Sequence, residues 1–119
     1  MTIASMVLVV ATNPGFRKSL EFALEAEGYV VNSQAQLARA IASPLNPAIR
    51  CAIVDEDAIR NWTDGWNDLA NFPRPVILLV DRPWPSPDPD GVMILVKPLL
   101  GNALIEAVEQ VIASGISAL

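Results

Sequence analysis

At 119 residues the chain is long enough to bury one substantial core, and we read it as a single domain spanning 1–119. With 52% hydrophobic and only 18% charged residues it is no disordered segment, and a formal net charge of −5 with scattered basic residues leaves no nucleic-acid footprint. Histidine is absent and Cys51 is the lone cysteine, which removes the commonest general base and metal ligand and excludes an internal disulfide.

In chain order, "MVLVV" (Met6–Val10) reads as a strand buried on both faces, the pattern of a parallel sheet. Asn13 then offers a helix cap, Pro14 suits a first helical turn, and Phe16, Leu20, Ala23 and Leu24 share one face. Gly28 stops that helix, and "YVV" (Tyr29–Val31) is a weaker strand. "SQAQLARAIAS" predicts a second helix with Leu37 and Ile41 inward and Pro44 beyond it. "CAIV" (Cys51–Val54) is the next strand, ending at Asp55. "IRNWTDGWNDLANF" predicts a third helix with Ile59, Trp62, Trp66 and Leu69 on one side, weakened by Gly65. "VILLV" (Val76–Val80) and "VMILV" (Val92–Val96) are the last two strands. "NALIEAVEQVIAS" closes the pattern as a helix capped by Asn102, with Leu104, Ile105, Val108, Val111 and Ile112 as its stripe. Alternating strands and helices imply parallel strands joined by right-handed crossovers.

One connection departs from the alternation. "DRPWPSPDPDG" carries Pro83, Pro85, Pro87 and Pro89 at every second position. Each proline lacks an N–H and disfavours helix at the residue before it, so we expect an extended, polyproline-like loop. The longest apolar runs fall far short of the ~20 residues of a membrane span, and the first residues lack the basic flank of a signal peptide. The expectation is a soluble cytoplasmic domain with no membrane or nucleic-acid partner and a reduced, buried thiol.

This order of elements resembles the receiver domain of two-component response regulators. The resemblance spans nearly the whole chain: "VLVVATNPGFRKSLEFALEAEGY", "CAIVD", "PVILLV" and "ILVKPL" fall in the family's order. It implies a CheY-like (flavodoxin-like) α/β fold, a doubly wound five-stranded parallel sheet, here with the fourth helix replaced by the Pro-rich loop. It places Asp55 at the phosphoacceptor position and Lys97 and Pro98 at the family's Lys-Pro, with a cis bond before Pro98. Other positions depart from the pattern. The acidic pair falls on Ala11 and Thr12, the switch hydroxyl on Val80, and its aromatic partner on Ile94.

The chemistry follows from what remains. Mg²⁺ needs several oxygen ligands in near-octahedral array, and the resemblance assigns that ion to the acidic pair and the phosphoacceptor. Ala11 offers no ligand, and Thr12 and Asn13 offer neutral oxygens. Alternation along an extended chain turns Glu56 away from Asp55, while Asp57 and Asp81 could share its crevice. Asp55 and Lys97 can instead form a static ion pair. At ~4 Å and an effective dielectric of ~20 their attraction is about 4 kcal/mol before desolvation. Val80 cannot donate a hydrogen bond, and Ile94 has no ring to move.

Trp84 is either a partner anchor in the stiff loop or a cover for the sheet edge. Trp62 and Trp66, one helical turn apart, are either core or an exposed interface pair. The wide stripe of the last helix leaves room for pairing with a second copy. The expected function is an atypical receiver, or pseudo-receiver: a non-enzymatic, phosphorylation-independent interaction module. It would have no cofactor and no metal, and a histidine kinase or an output protein as partner. The rival is a working phosphoacceptor, with Asp55 phosphorylated by a histidine kinase through a rearranged, weak Mg²⁺ site. A flavodoxin-like small-ligand binder is remoter, because no glycine-rich phosphate loop is present.

Overall fold

The computed structural model describes residues 5–42, 48–59, 62–83, 92–97, 99 and 102–117, with the backbone alone for 41–42, 62–64, 66 and 114–117. The elements run β1 (Met6–Val10), α1 (Pro14–Ala26), β2 (Val30–Gln34), α2 (Leu37–Ala42), β3 (Ile49–Asp55), a 3₁₀ turn (Glu56–Ala58), α3 (Trp62–Asn71), β4 (Val76–Val80), β5 (Val92–Val96) and α4 (Ala103–Ser117). The five strands form one sheet in the order β2-β1-β3-β4-β5, every pairing parallel. The parallel pairing is what the alternation predicts, and the strand order is the CheY-like architecture that the resemblance implies.

Continuous apolar strands make sense because both faces of the sheet are covered. Val7, Val9, Cys51, Ile53, Ile77 and Leu79 pack under α1 and α4 against Leu20, Leu24, Leu104, Val108 and Val111. Leu8, Val10, Ala52, Val54, Leu78 and Val80 face the other way, toward Leu37, Ile59 and Leu69. Fully burying each of these Val, Leu and Ile side chains contributes about 1.5–3 kcal/mol, so the two layers are the main source of stability. Ile105 and Ile112 sit half-buried at the margin of the first layer.

Local chemistry sets the ends of α1. The Asn13 carboxamide oxygen accepts from the Phe16 N–H at 2.9 Å, and Pro14 fills the first turn. At the other end the Gly28 N–H donates to Glu25 O and the Tyr29 N–H to Leu24 O, the paired bonds of a Schellman motif. Gly28 has φ +92°, a conformation that costs glycine little.

Several boundaries differ from the sequence reading. β2 runs from Val30 to Gln34, so Ser33 and Gln34 belong to a strand and α2 begins only at Leu37. Pairing with β1 outweighs the helical pattern there. β3 extends to Ile49 and Asp55. Ile59 precedes α3 rather than lying on its stripe, yet it is buried in the second layer. The Asn102 carbonyl accepts from the Glu106 N–H as the last helix starts. Trp84, most of the Pro-rich loop and Pro98 lie outside the described residues, as do the side chains of Ile41, Trp62 and Trp66.

Candidate functional site

In a parallel sheet the carboxyl ends of the central strands share one edge, and the turns that follow them meet there. Val10 is level with Val54, Asp55 with Leu79, and Val80 with Val96. That register gathers Ala11 and Thr12 after β1, Asp55 at the end of β3, Asp81 after β4 and Lys97 after β5.

Asp55 is buried, with 1% of its surface exposed. Its partner is Lys97, whose Nζ donates to Asp55 Oδ1 at 2.8 Å. The same ammonium lies 3.1 Å from Asp81 Oδ1, on a side chain that is 64% exposed. It also stands over the Phe16 ring, 5.3 Å from the centroid. Partial burial pulls the Lys97 pKa down, but hydrogen bonds and attraction from Asp55 and Asp81 outweigh it, and the net shift is upward. The ammonium is therefore kept, bridging a buried and an exposed carboxylate.

Ala11 is fully buried and has no ligand to offer. Its carbonyl accepts from Arg17 Nη1 at 2.8 Å, and the Thr12 carbonyl lies 3.5 Å from the same nitrogen. The Thr12 hydroxyl faces two backbone carbonyls, Ala35 O at 3.1 Å and Asp57 O at 3.3 Å. Val80 is buried completely, and Ile94 packs half-buried against the second layer. Neither side chain can hydrogen-bond.

Glu56 corrects the sequence reading. The chain leaves its extended form at Asp55 and enters a 3₁₀ turn, so simple alternation ends there. Glu56 Oε1 accepts from the Asp81 N–H at 3.0 Å. Burial raises the Glu56 pKa and the Asp81 carboxylate raises it further, against the opposing Asp81 N–H and Lys97. The Asp81 pKa is lowered, first by its bond from Lys97 and then by Glu56. Carboxylate oxygens of Glu56, Asp57 and Asp81 lie within 4.8 Å of one another.

A divalent ion fits poorly beside Asp55 in this arrangement. The positions where the resemblance implies acids supply a methyl group and a hydroxyl directed at carbonyls, and Asp55 already faces an ammonium. Arg17 was missed by the sequence reading. Its signal was a cation near a helix N-terminus, where the macrodipole disfavours one and where the first turn of α1 has no acid.

Beside this edge, an open groove of about 880 Å³ between α1 and α4 is lined by Phe16, Leu20, Leu104 and Ile105 together with Asp81 and Lys97. Phe22, on its α1 wall, is 78% exposed. No described helix is long and apolar enough to cross a membrane.

No family model matches the chain. The transcriptional regulator protein FixT of Rhizobium meliloti is 34% identical over 109 residues, covering 91% of this chain and 93% of that protein. Among solved structures, a response regulator receiver protein from Sinorhizobium medicae superposes with a TM-score of 0.73 at 20% identity, over 94% of this chain and 97% of its own. A CheY-like receiver domain protein from Methanospirillum hungatei gives a TM-score of 0.75 at 15% identity, over 98% of this chain and all of its own. At such identities the structures speak to the fold, while the FixT likeness speaks to kinship.

Proposed function

The chain belongs to the response regulator receiver family as a relative of the FixT regulator, and from that premise we propose that it is a pseudo-receiver, a protein-interaction module that works without phosphorylation. The observation that carries this reading is a buried Ala11 and a Thr12 hydroxyl engaged with carbonyls, at the two positions where the resemblance places acids. With neither position supplying a carboxylate, Asp55 lacks the partner ligands that would hold a divalent ion against an incoming phosphoryl group. Val80 and Ile94 supply no hydrogen bond and no ring to relay its arrival.

The module catalyses no reaction of its own and holds no resident cofactor. It acts in the cytoplasm on a signalling protein, either a histidine kinase or an output protein. FixT is called a transcriptional regulator. An acidic domain such as this one reaches transcription through another protein rather than by touching DNA. The groove between α1 and α4, with Phe22 left in water beside it, supports a partner surface on that side.

Amide NMR spectra recorded with Mg²⁺ and beryllofluoride test the reading. Unchanged resonances around Asp55 and Lys97 are expected. Shifts clustered there, and abolished by Asp55→Asn, would overturn it in favour of a working phosphoacceptor. The observation favouring that second reading is the close approach of Glu56, Asp57 and Asp81, a carboxylate set displaced from Asp55.

A further inference from the structure

We propose that the outer face of α1 pairs about a two-fold axis with the same face of a second copy of this chain, with Phe22 at the centre of the contact. The proposal rests on the reading of that side as a partner surface and goes beyond it by naming the occupant, another molecule of the same protein.

Phe22 sits in the middle of a 13-residue helix with 78% of its surface exposed. Among the described residues the exposed large hydrophobics are Phe22, Val30 and Val96, and Phe22 is the most exposed of the three. The groove beside it is lined by Phe16, Leu20 and Leu104. A single exposed apolar residue needs no explanation, but a ring standing beside an open apolar groove marks a contact surface.

The neighbours of Phe22 identify the occupant as a second copy. On a helix, residues three and four positions away flank a central one. Ser19 and Ala26, three before and four after, lie on one side of Phe22. Lys18 and Glu25, four before and three after, lie on the other. All four are exposed. A two-fold axis between two such helices runs them antiparallel and brings each side against its own counterpart. Ser19 then meets Ala26 of the second copy, small against small, so the helices come close enough for each Phe22 ring to cover the other copy. Lys18 meets Glu25 of the second copy, and symmetry makes that pair twice. A parallel arrangement would set Lys18 level with Lys18 and Glu25 level with Glu25, so the charges select the antiparallel one. The face is complementary to itself in shape and in charge, which an isologous contact requires. The formal net charge of −5 on each copy opposes association. At physiological ionic strength that repulsion is screened beyond about 8 Å, and the contacts around Phe22 decide the outcome.

Sedimentation equilibrium of the full chain from about 5 to 500 µM, the range a small interface demands, should show reversible monomer–dimer exchange. Phe22→Ser should weaken the dimer at least about tenfold. Lys18→Glu sets like charges against each other at both ends of the contact and should weaken it about fivefold, as should Glu25→Lys. Combining the two reverses both pairs and should return the affinity to within about twofold of wild type. These positions are exposed, so circular dichroism and the melting temperature should stay close to wild type. A wild type that stays monomeric at every concentration would overturn the proposal, leaving the groove to a different protein and the pseudo-receiver reading untouched. A dimer indifferent to Phe22→Ser would sink it by placing the contact on another face. A combined variant as weak as its parents would refute the antiparallel pairing.

Discussion

Lys97 and Asp55 form one ion pair, yet removing either partner should not cost the same. Lys97→Met leaves Asp55 charged, buried and without its ammonium, a change of about 3–5 kcal/mol. Asp55→Asn leaves Lys97 with Asp81 at the surface and keeps a hydrogen-bonding group of the same shape, so about 1 kcal/mol is expected. Urea unfolding of the two variants checks the asymmetry, and equal losses would show that Asp55 is not dependent on Lys97. The pair also sets a pH limb. The folded pKa of Lys97 is raised above its ordinary 10.5, so its contribution is complete below pH 10.5 and disappears as pH rises through the folded value. Stability of the wild type should therefore fall more steeply above pH 10.5 than that of Lys97→Met. Asp55 and Lys97 were legible in the sequence because each ends an apolar strand in a known order. Arg17 and Glu56 were not, because their roles depend on a helix turn and a 3₁₀ turn that the alternation of strand residues does not foretell.

Among the elements, α3 shows a local rule overridden for a packing reason. Gly65 weakens a helix by about 1 kcal/mol relative to alanine. In the fold it lies inside α3 and is buried, and a Cβ there would run into the Ile59 side chain. Ile59 is β-branched and fixed in the second core layer, so it cannot swing aside cheaply. Gly65→Ala should therefore destabilise by about 1–3 kcal/mol despite its better helix propensity. Pairing it with Ile59→Ala, which removes the Cγ2 methyl that the new Cβ would meet, should restore part of the loss in a double-mutant cycle; a stabilising Gly65→Ala would contradict the contact. α1, by contrast, was read nearly to its ends, because Asn13, Pro14 and Gly28 each carry their instruction in a single side chain or its absence. The start of α2 was misread because Ser33 and Gln34 answer to β1, and no residue in the segment announces a strand.

At the level of the whole molecule, the sheet is unequal across its width. β1, β3 and β4 are central, and Val7–Val10, Cys51–Val54 and Val76–Val80 are buried throughout. Both edge strands are only partly covered. β2 has four half-buried residues and one exposed, while β5 falls from buried Val92 through three half-buried residues to exposed Val96. Amides open locally where fewer apolar contacts must be broken, so protection should follow this order. Hydrogen exchange should be slowest in the three central strands and at least about tenfold faster in β2 and in β5. Cys51 offers an independent probe of the same gradient. Burial raises its thiol pKa to about 12, so in the folded state it should react with a thiol reagent only as fast as the central sheet opens. Agreement between the Cys51 labelling rate and the exchange of its β3 neighbours would make the central sheet one cooperative unit. Labelling much faster than that exchange would instead reveal a separate opening on the α1–α4 side, where Cys51 points into the first core layer. That face also carries the groove and exposed Phe22, so the comparison measures how firmly the candidate partner surface is held by the sheet beneath it.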